Sequence, residues 1–153
     1  MILSGNTIRE RGIINPFHDR TVSAGMTFGV GPAGYDVRVE FDKTGELDIA
    51  QIASGGFMLA STIERFTMPN DVIGFVHDKS SWARKGLAVQ NTVIEPGWFG
   101  YLTLEITNHS HRPLAIERGS PIAQVVFHFI DRPVTDAYNG KYQDQERGPQ
   151  RAR

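Results

Sequence analysis

Between Asp78 and Asn108 the chain gathers most of its chemically capable side chains. Ser80-Ser81-x-x-Arg84 sets two hydroxyls and a guanidinium beside a predicted short helix over 80–85, with Ser80 as its cap and Gly86 after it. Free N–H groups at a helix start, hydroxyls and a guanidinium together suit an anion such as a phosphate. An ordinary N-cap with a solvated arginine fits the same pattern. Glu105 is the second candidate, a lone carboxylate inside the β-branched and apolar run LTLEIT. If it is buried, desolvation raises its pKa and makes it a proton shuttle near neutrality. On the solvent face of an edge strand it would be inert. Strand alternation groups Tyr101, Thr103, Glu105 and Thr107 on one face and Leu102, Leu104 and Ile106 on the other. Between the two candidates stand Gln90, Asn91 and Thr92, which either decorate a hairpin or read a base edge. The Glu95-Pro96-Gly97-Trp98 corner follows, and its indole either plugs the corner or stacks on a sugar or base.

These groups need a scaffold, and composition limits which one. The chain has 153 residues, enough for one domain with a hydrophobic core. A formal net charge of -1 gives no bulk electrostatic case for nucleic acid or membrane partners. No apolar run reaches transmembrane length, no signal-peptide core opens the chain, and there are no cysteines. Disulfides, thiolate metal sites and cysteine nucleophiles are thereby excluded, and a cytoplasmic setting is expected. The five histidines form no metal signature, no P-loop is present, and no nucleophile elbow appears. No metal-ligating residue is therefore expected.

Short strands separated by turns organise the rest. Ser4 is placed to cap a short N-terminal helix. Residues 13–17 read as extended and 21–30 are weakly patterned. Tyr35 to Val39 alternates as a half-buried strand. Further strands are expected over 57–66, 71–76, 87–94, 101–107, 113–116 and 122–130. With 16 Gly and 8 Pro, this pattern predicts an all-β sandwich, jelly roll or distorted barrel. Residues 1–133 are expected to form the domain. Composition alone favours disorder for the polar segment after it, 134–153, the alternative being an arm that orders over a ligand.

Several stretches together carry a resemblance. MILSGNTIRERGIINPF, AGYDVRV, FMLASTIERFTMPNDVIGFVHDKSSWARKGL, EPGWFGYLTLEITN and GSPIAQVVF are similar to the dCTP deaminase and trimeric dUTPase superfamily, over nearly the whole chain. The resemblance implies a distorted jelly roll or β-barrel of the dUTPase-like type, assembled as a homotrimer with active sites between subunits. It implies a deoxynucleoside triphosphate carrying Mg2+ on its phosphates, and zinc-free conversion of dCTP to dUTP and ammonia. Glu105 falls where the deaminases carry their general acid/base, with Ser80 and Arg84 as its helpers. Lys79, Ser81 and Gln124 fall at phosphate-contacting positions, and Trp98 against the deoxyribose. Glu95 falls near the 3′-hydroxyl, and Gln90, Asn91 and Thr92 in the base loop. Tyr138, Lys141, Tyr142 and Gln145 belong to a tail that closes over the triphosphate, and Asp36 to the trimer axis or Mg2+ shell.

Two departures keep alternatives open. The 87–94 segment has dUTPase-like spacing, and Glu95 stands where dUTPases place the aspartate that activates water. The alternatives are a dUTP pyrophosphatase, a bifunctional enzyme giving dUMP, and a non-catalytic trimeric nucleotide-binding protein.

Overall fold

The computed structural model describes residues 1–153. In chain order the elements are α1 (Gly5–Arg11), β1 (Ile14–Asn15), β2 (Thr21–Ser23), β3 (Met26–Val30), β4 (Tyr35–Glu40), β5 (Ile49–Ile52), β6 (Phe57–Thr67) and β7 (Val72–Asp78). They continue with α2 (Ser80–Ala83), β8 (Leu87–Val89), β9 (Val93–Ile94), β10 (Phe99–Asn108), β11 (Leu114–Glu117) and β12 (Pro121–Phe129). The main sheet runs β8-β10-β6-β4-β12-β7-β9, with β1 on β6 and the β2–β3 hairpin on β4; β5 and β11 form a separate antiparallel pair. Every strand pairing in both sheets is antiparallel. The fold is all-β with two short helices, as the strand pattern predicts.

Alternation decides which faces are buried. In β4, Tyr35, Val37 and Val39 are fully buried while Asp36 and Arg38 are half-buried. Leu104 and Ile106 of β10 and Ile122, Val125 and Phe127 of β12 join them in one apolar core, with Phe66 of β6 against Phe127. At the N-terminus, Ser4 caps α1 and accepts from the Thr7 N–H, as its position predicts.

Four local readings need correction. α2 is only Ser80–Ala83, and its N-cap is Lys79 with no side-chain hydrogen bond, so Ser80 is the first helical residue and caps nothing. Residues 87–94 form two short strands, β8 and β9, on opposite ends of the sheet order, separated at Gln90–Thr92. A register shift between Tyr101 and Thr103 breaks the strict alternation of β10. Leu102 therefore faces a cavity with Thr103 and Glu105, and does not join Leu104 in the core.

The polar C-terminal segment is the fourth. It is docked along its own domain. Asp144 N donates to Phe99 O, Tyr101 N donates to Gln145 O at 3.0 Å, and Gly100 and Gln145 form a parallel bridge. Composition predicts disorder because it registers only the lack of apolar residues. The segment is held instead by hydrogen bonds to an open strand edge. Gly100 makes that approach possible: its φ is +140°, and a Cβ there would lie 2.6 Å from Gln145 N. Arg147 reaches the buried Glu40 carboxylate from the same segment.

Candidate functional site

Glu105 stands near the middle of β10, facing Leu59 of β6 across the ladder. Its backbone is held on the other side: Gln90 N donates to Glu105 O at 2.8 Å, and Glu105 N donates to Asn91 Oδ1 at 3.1 Å. The carboxylate itself has no hydrogen-bond or ionic partner in the chain. It is half-buried, and desolvation pushes its pKa above the ordinary glutamate range. A carboxyl tuned upward and free of partners is equipped to exchange protons with a ligand.

It opens onto a cavity of about 690 Å³. Phe57, Leu59 and Leu102 form an apolar wall beside it. Asn91, Thr92, Val93, Ile94 and Glu95 come from the β8–β9 connection, and Trp98 and Thr103 from the corner and from β10. Tyr138, Tyr142, Gln145, Gln150 and Ala152 come from the C-terminal segment. No lysine or arginine lines this cavity.

Trp98 is a corner plug with an edge on the cavity. It is 5% exposed, tilted against Phe66, and its indole N–H donates to Tyr142 O at 2.7 Å. That bond joins the corner to the C-terminal segment, and loss of its acceptor would strand a buried donor at a cost of about 1–3 kcal/mol. Gln143 adds to the joint by accepting from Phe99 N and donating to Gly97 O and Tyr138 O. Thr103 Oγ1 donates to Gln145 Oε1, and Gln150 N donates to Thr103 Oγ1.

The cationic and hydroxyl groups lie elsewhere. Lys79, Ser80 and Gln124 line a second cavity of about 310 Å³ with Arg20, Asp36 and Asp78, and the two cavities share no residue. Lys79 is not a free phosphate ligand: its Nζ is 2.9 Å from Asp36 Oδ2, with the lysine side chain 8% exposed. Asp36 thus neutralises Lys79. Ser81 on α2 and Arg84 at its C-cap are exposed and line neither cavity. Gln90 turns away, accepting from the Thr107 hydroxyl, and Lys141 donates to Arg153 O. Within one chain, then, Glu105 meets Asn91, Thr92, Glu95, Trp98, Tyr138, Tyr142 and Gln145 at one cavity. Ser80, Arg84, Ser81, Lys79 and Gln124 do not join them there.

Residue types alone do not single out Glu64. It is fully buried on β6, accepts from Arg38 N at 2.8 Å and Arg38 Nε at 2.7 Å, and burial pushes its pKa up against that pairing. The available signal was a charge in each of two neighbouring strands, Arg38 and Glu64, whose elements pair through β4 and β6. No cluster of three or more His, Cys, Asp or Glu side chains converges to hold a metal ion. No helix is long and apolar enough to cross a membrane.

A dCTP deaminase from Gemmatimonas aurantiaca is 37% identical over 163 aligned positions, covering 90% of this chain and 89% of the relative. Among solved structures, a 2′-deoxycytidine 5′-triphosphate deaminase from Agrobacterium tumefaciens superposes with a TM-score of 0.65 at 22% identity, covering 84% of this chain and 48% of that one. A dUTPase from phage phi11 of S. aureus, described with a structural Mg(II) ion, superposes at 0.57 and 15% identity over 82% of this chain and 92% of its own. These two likenesses show the dUTPase-like fold. The family model described as dCTP deaminase-like matches residues 38–130, which span the strand of Glu105, the β8–β9 connection and α2. With that match and the extended identity to the curated relative, the chain belongs to the dCTP deaminase-like family.

Proposed function

We propose that this protein is an enzyme that converts dCTP and water to dUTP and ammonia, in the cytoplasm and without zinc. The observation that carries the reading is Glu105: a partnerless, partly desolvated carboxylate on the wall of a cavity of nucleoside size, in a chain of this family. Glu105 takes a proton from a water, and the oxygen bonds to C4 of the cytosine. The carboxyl delivers that proton to N3, then takes the remaining proton of the new C4 hydroxyl and passes it to the amine; the C4–N bond breaks as C4=O forms, and ammonia leaves. Leu59 and Leu102 keep water away from the carboxyl and so hold its pKa up. The 91–92 backbone and the Thr92 side chain face the base, Trp98 and Glu95 the deoxyribose, and Tyr138, Tyr142 and Gln145 cover the ligand as an arm formed by 134–153.

A triphosphate needs cations, and the Glu105 cavity has none among its lining residues. That shortfall supports a homotrimer with shared sites. In it, Ser80, Ser81, Arg84 and Gln124 of an adjacent copy would complete the cavity, Ser80 and Arg84 beside Glu105 and the others at the phosphates, with Lys79 contributing only if it leaves Asp36. Mg2+ would arrive on the phosphates as their counter-ion. The chain offers it no acidic cluster of its own, and no step runs through it.

A second reading rests on Glu95, which is exposed on the same cavity and could activate water toward the phosphates of dUTP. Its product would be pyrophosphate, alone or after deamination. Supplying dCTP and dUTP separately and following ammonia and pyrophosphate tests both readings.

The raised pKa of Glu105 sets the acid limb of the rate. Only the ionised carboxyl can accept the proton of water, so kcat/KM falls as pH drops through that pKa. The expected inflection lies above the ordinary glutamate range because desolvation is the cause of the shift. A pH profile that stays flat down through the ordinary range would contradict the assignment of the base.

A further inference from the structure

One edge of β10 is covered by three different devices in succession. β8 pairs with it at Ile106, Thr107 and Asn108. Asp144 and Gln145 cover it at Phe99 and Tyr101. Between them, at Thr103 and Glu105, no strand lies alongside. There, beside the Gln90 N–H on Glu105 O, the edge is closed by one side chain: Asn91 Nδ2 donates to Thr103 O at 2.6 Å, and Asn91 Oδ1 accepts from Glu105 N at 3.1 Å.

This geometry is that of a peptide unit in an antiparallel ladder. Extending the β8 register places Gln90 opposite Glu105, and the Gln90 N–H does reach Glu105 O at 2.8 Å. The return bond from Glu105 N would go to Gln90 O in a regular pair. It goes to the Asn91 carboxamide instead, which presents one acceptor and one donor as a backbone amide does. The backbone leaves the sheet at this point to enter β9, and its remaining groups, Gln90 O and the N–H and C=O of Asn91 and Thr92, have no partner within the chain.

We infer that Asn91 is a positioning residue, whose carboxamide substitutes for a missing strand, holds β10 in register at Glu105, and lets the 90–92 backbone turn toward the cavity. This rests on the proposed role of Glu105 and departs from a base-reading role for Asn91, since both ends of its carboxamide are spent on the protein. The chemistry predicts a division of labour. Removing Asn91 loosens the strand that carries the general base, which acts on turnover, and leaves the nucleotide's own contacts largely in place.

The test is Asn91→Ala and the isosteric Asn91→Asp in the full chain, with steady-state kinetics on dCTP and hydrogen exchange of the Glu105 amide in each. Asn91→Asp keeps the acceptor for Glu105 N but sets an oxygen against Thr103 O, and its unchanged size preserves the fold if the alanine variant fails to form. Both variants are expected to lose kcat, the alanine variant by on the order of 100-fold, the scale of a displaced catalytic group. KM stays within a few-fold of the parent, and the Glu105 amide exchanges faster in the alanine variant. A raised KM with kcat retained, or Glu105 exchange unchanged in Asn91→Ala, overturns the inference. If the parent itself releases no ammonia from dCTP, the functional reading falls, while the exchange result still decides whether Asn91 holds the strand.

Discussion

Replacing Glu105 with glutamine is expected to lower ammonia release from dCTP by at least about 10³-fold, within the range that a positioned acid–base group contributes. Glutamine has nearly the same shape, and the backbone of residue 105 stays gripped by Gln90 and Asn91. The carboxylate has no partner in the chain to lose, so the substitution leaves no orphaned group behind. What it removes is the capacity to carry a proton between water, N3 and the amine. Affinity for dCTP should therefore stay within a few-fold of the parent. Ammonia release at an undiminished rate in this variant would remove Glu105 from the mechanism.

The largest stability effect is expected at Arg38. Glu64 is fully buried, and the Arg38 guanidinium is its one ionic partner. Arg38→Ala keeps the backbone N–H that reaches Glu64 Oε2 but deletes the Nε bond and the compensating charge. It also removes the guanidinium stacked 4.7 Å from the Phe28 ring and its contact with His18 Nε2. A buried charge left without its partner costs about 3–5 kcal/mol. The pH dependence follows in sign. Burial already raises the Glu64 pKa, and losing Arg38 raises it further. A carboxyl whose pKa is higher in the folded than in the unfolded state binds more protons when folded, so its folded state is favoured at low pH and loses ground as pH rises. The deficit of Arg38→Ala should thus widen from acid toward neutral pH, and Glu64→Gln in the same background should recover part of it. Urea unfolding at matched chain concentration measures both. A pH-independent deficit would place the cost in lost packing instead.

Much of the fold was legible because burial follows short periods. Tyr35, Val37 and Val39 declare β4 by alternation, and the apolar run over 122–130 declares β12 to within one residue at each end. The β2–β3 hairpin and β5 were not legible. β2 is largely exposed, β3 ends in three consecutive buried residues, and β5 places Ile49 and Gln51 together on its exposed side, so no alternation of polar and apolar types marks them. The interruption of 87–94 was hidden for another reason. Val89, Val93 and Ile94 have strand propensity, and nothing in their types says that a carboxamide at 91 replaces the ladder between them.

The candidate site divides along the same line. Glu105 could be singled out as a carboxylate in an apolar strand, but its partial burial on a cavity that Leu59 and Leu102 also line could not be read from the pattern. Leu102 reaches the cavity only through the register shift in β10. Trp98 was readable as a plug or a platform, and its bond to Tyr142 O could not be seen until the C-terminal segment was placed. Lys79 was assigned to the phosphates through the resemblance, and in the chain its charge is paired with Asp36. Ser80 and Arg84 were grouped with Glu105 by resemblance, but they lie outside its cavity in the single chain.

The purified full chain is given dCTP with Mg2+, and separately dUTP with Mg2+, and ammonia and pyrophosphate are followed in each. Ammonia released from dCTP in equal amount to the dUTP formed is the predicted result. Pyrophosphate from dUTP would add the Glu95 reaction to the same cavity. No ammonia from dCTP, with the nucleotide recovered intact or converted only to a monophosphate, would contradict the account.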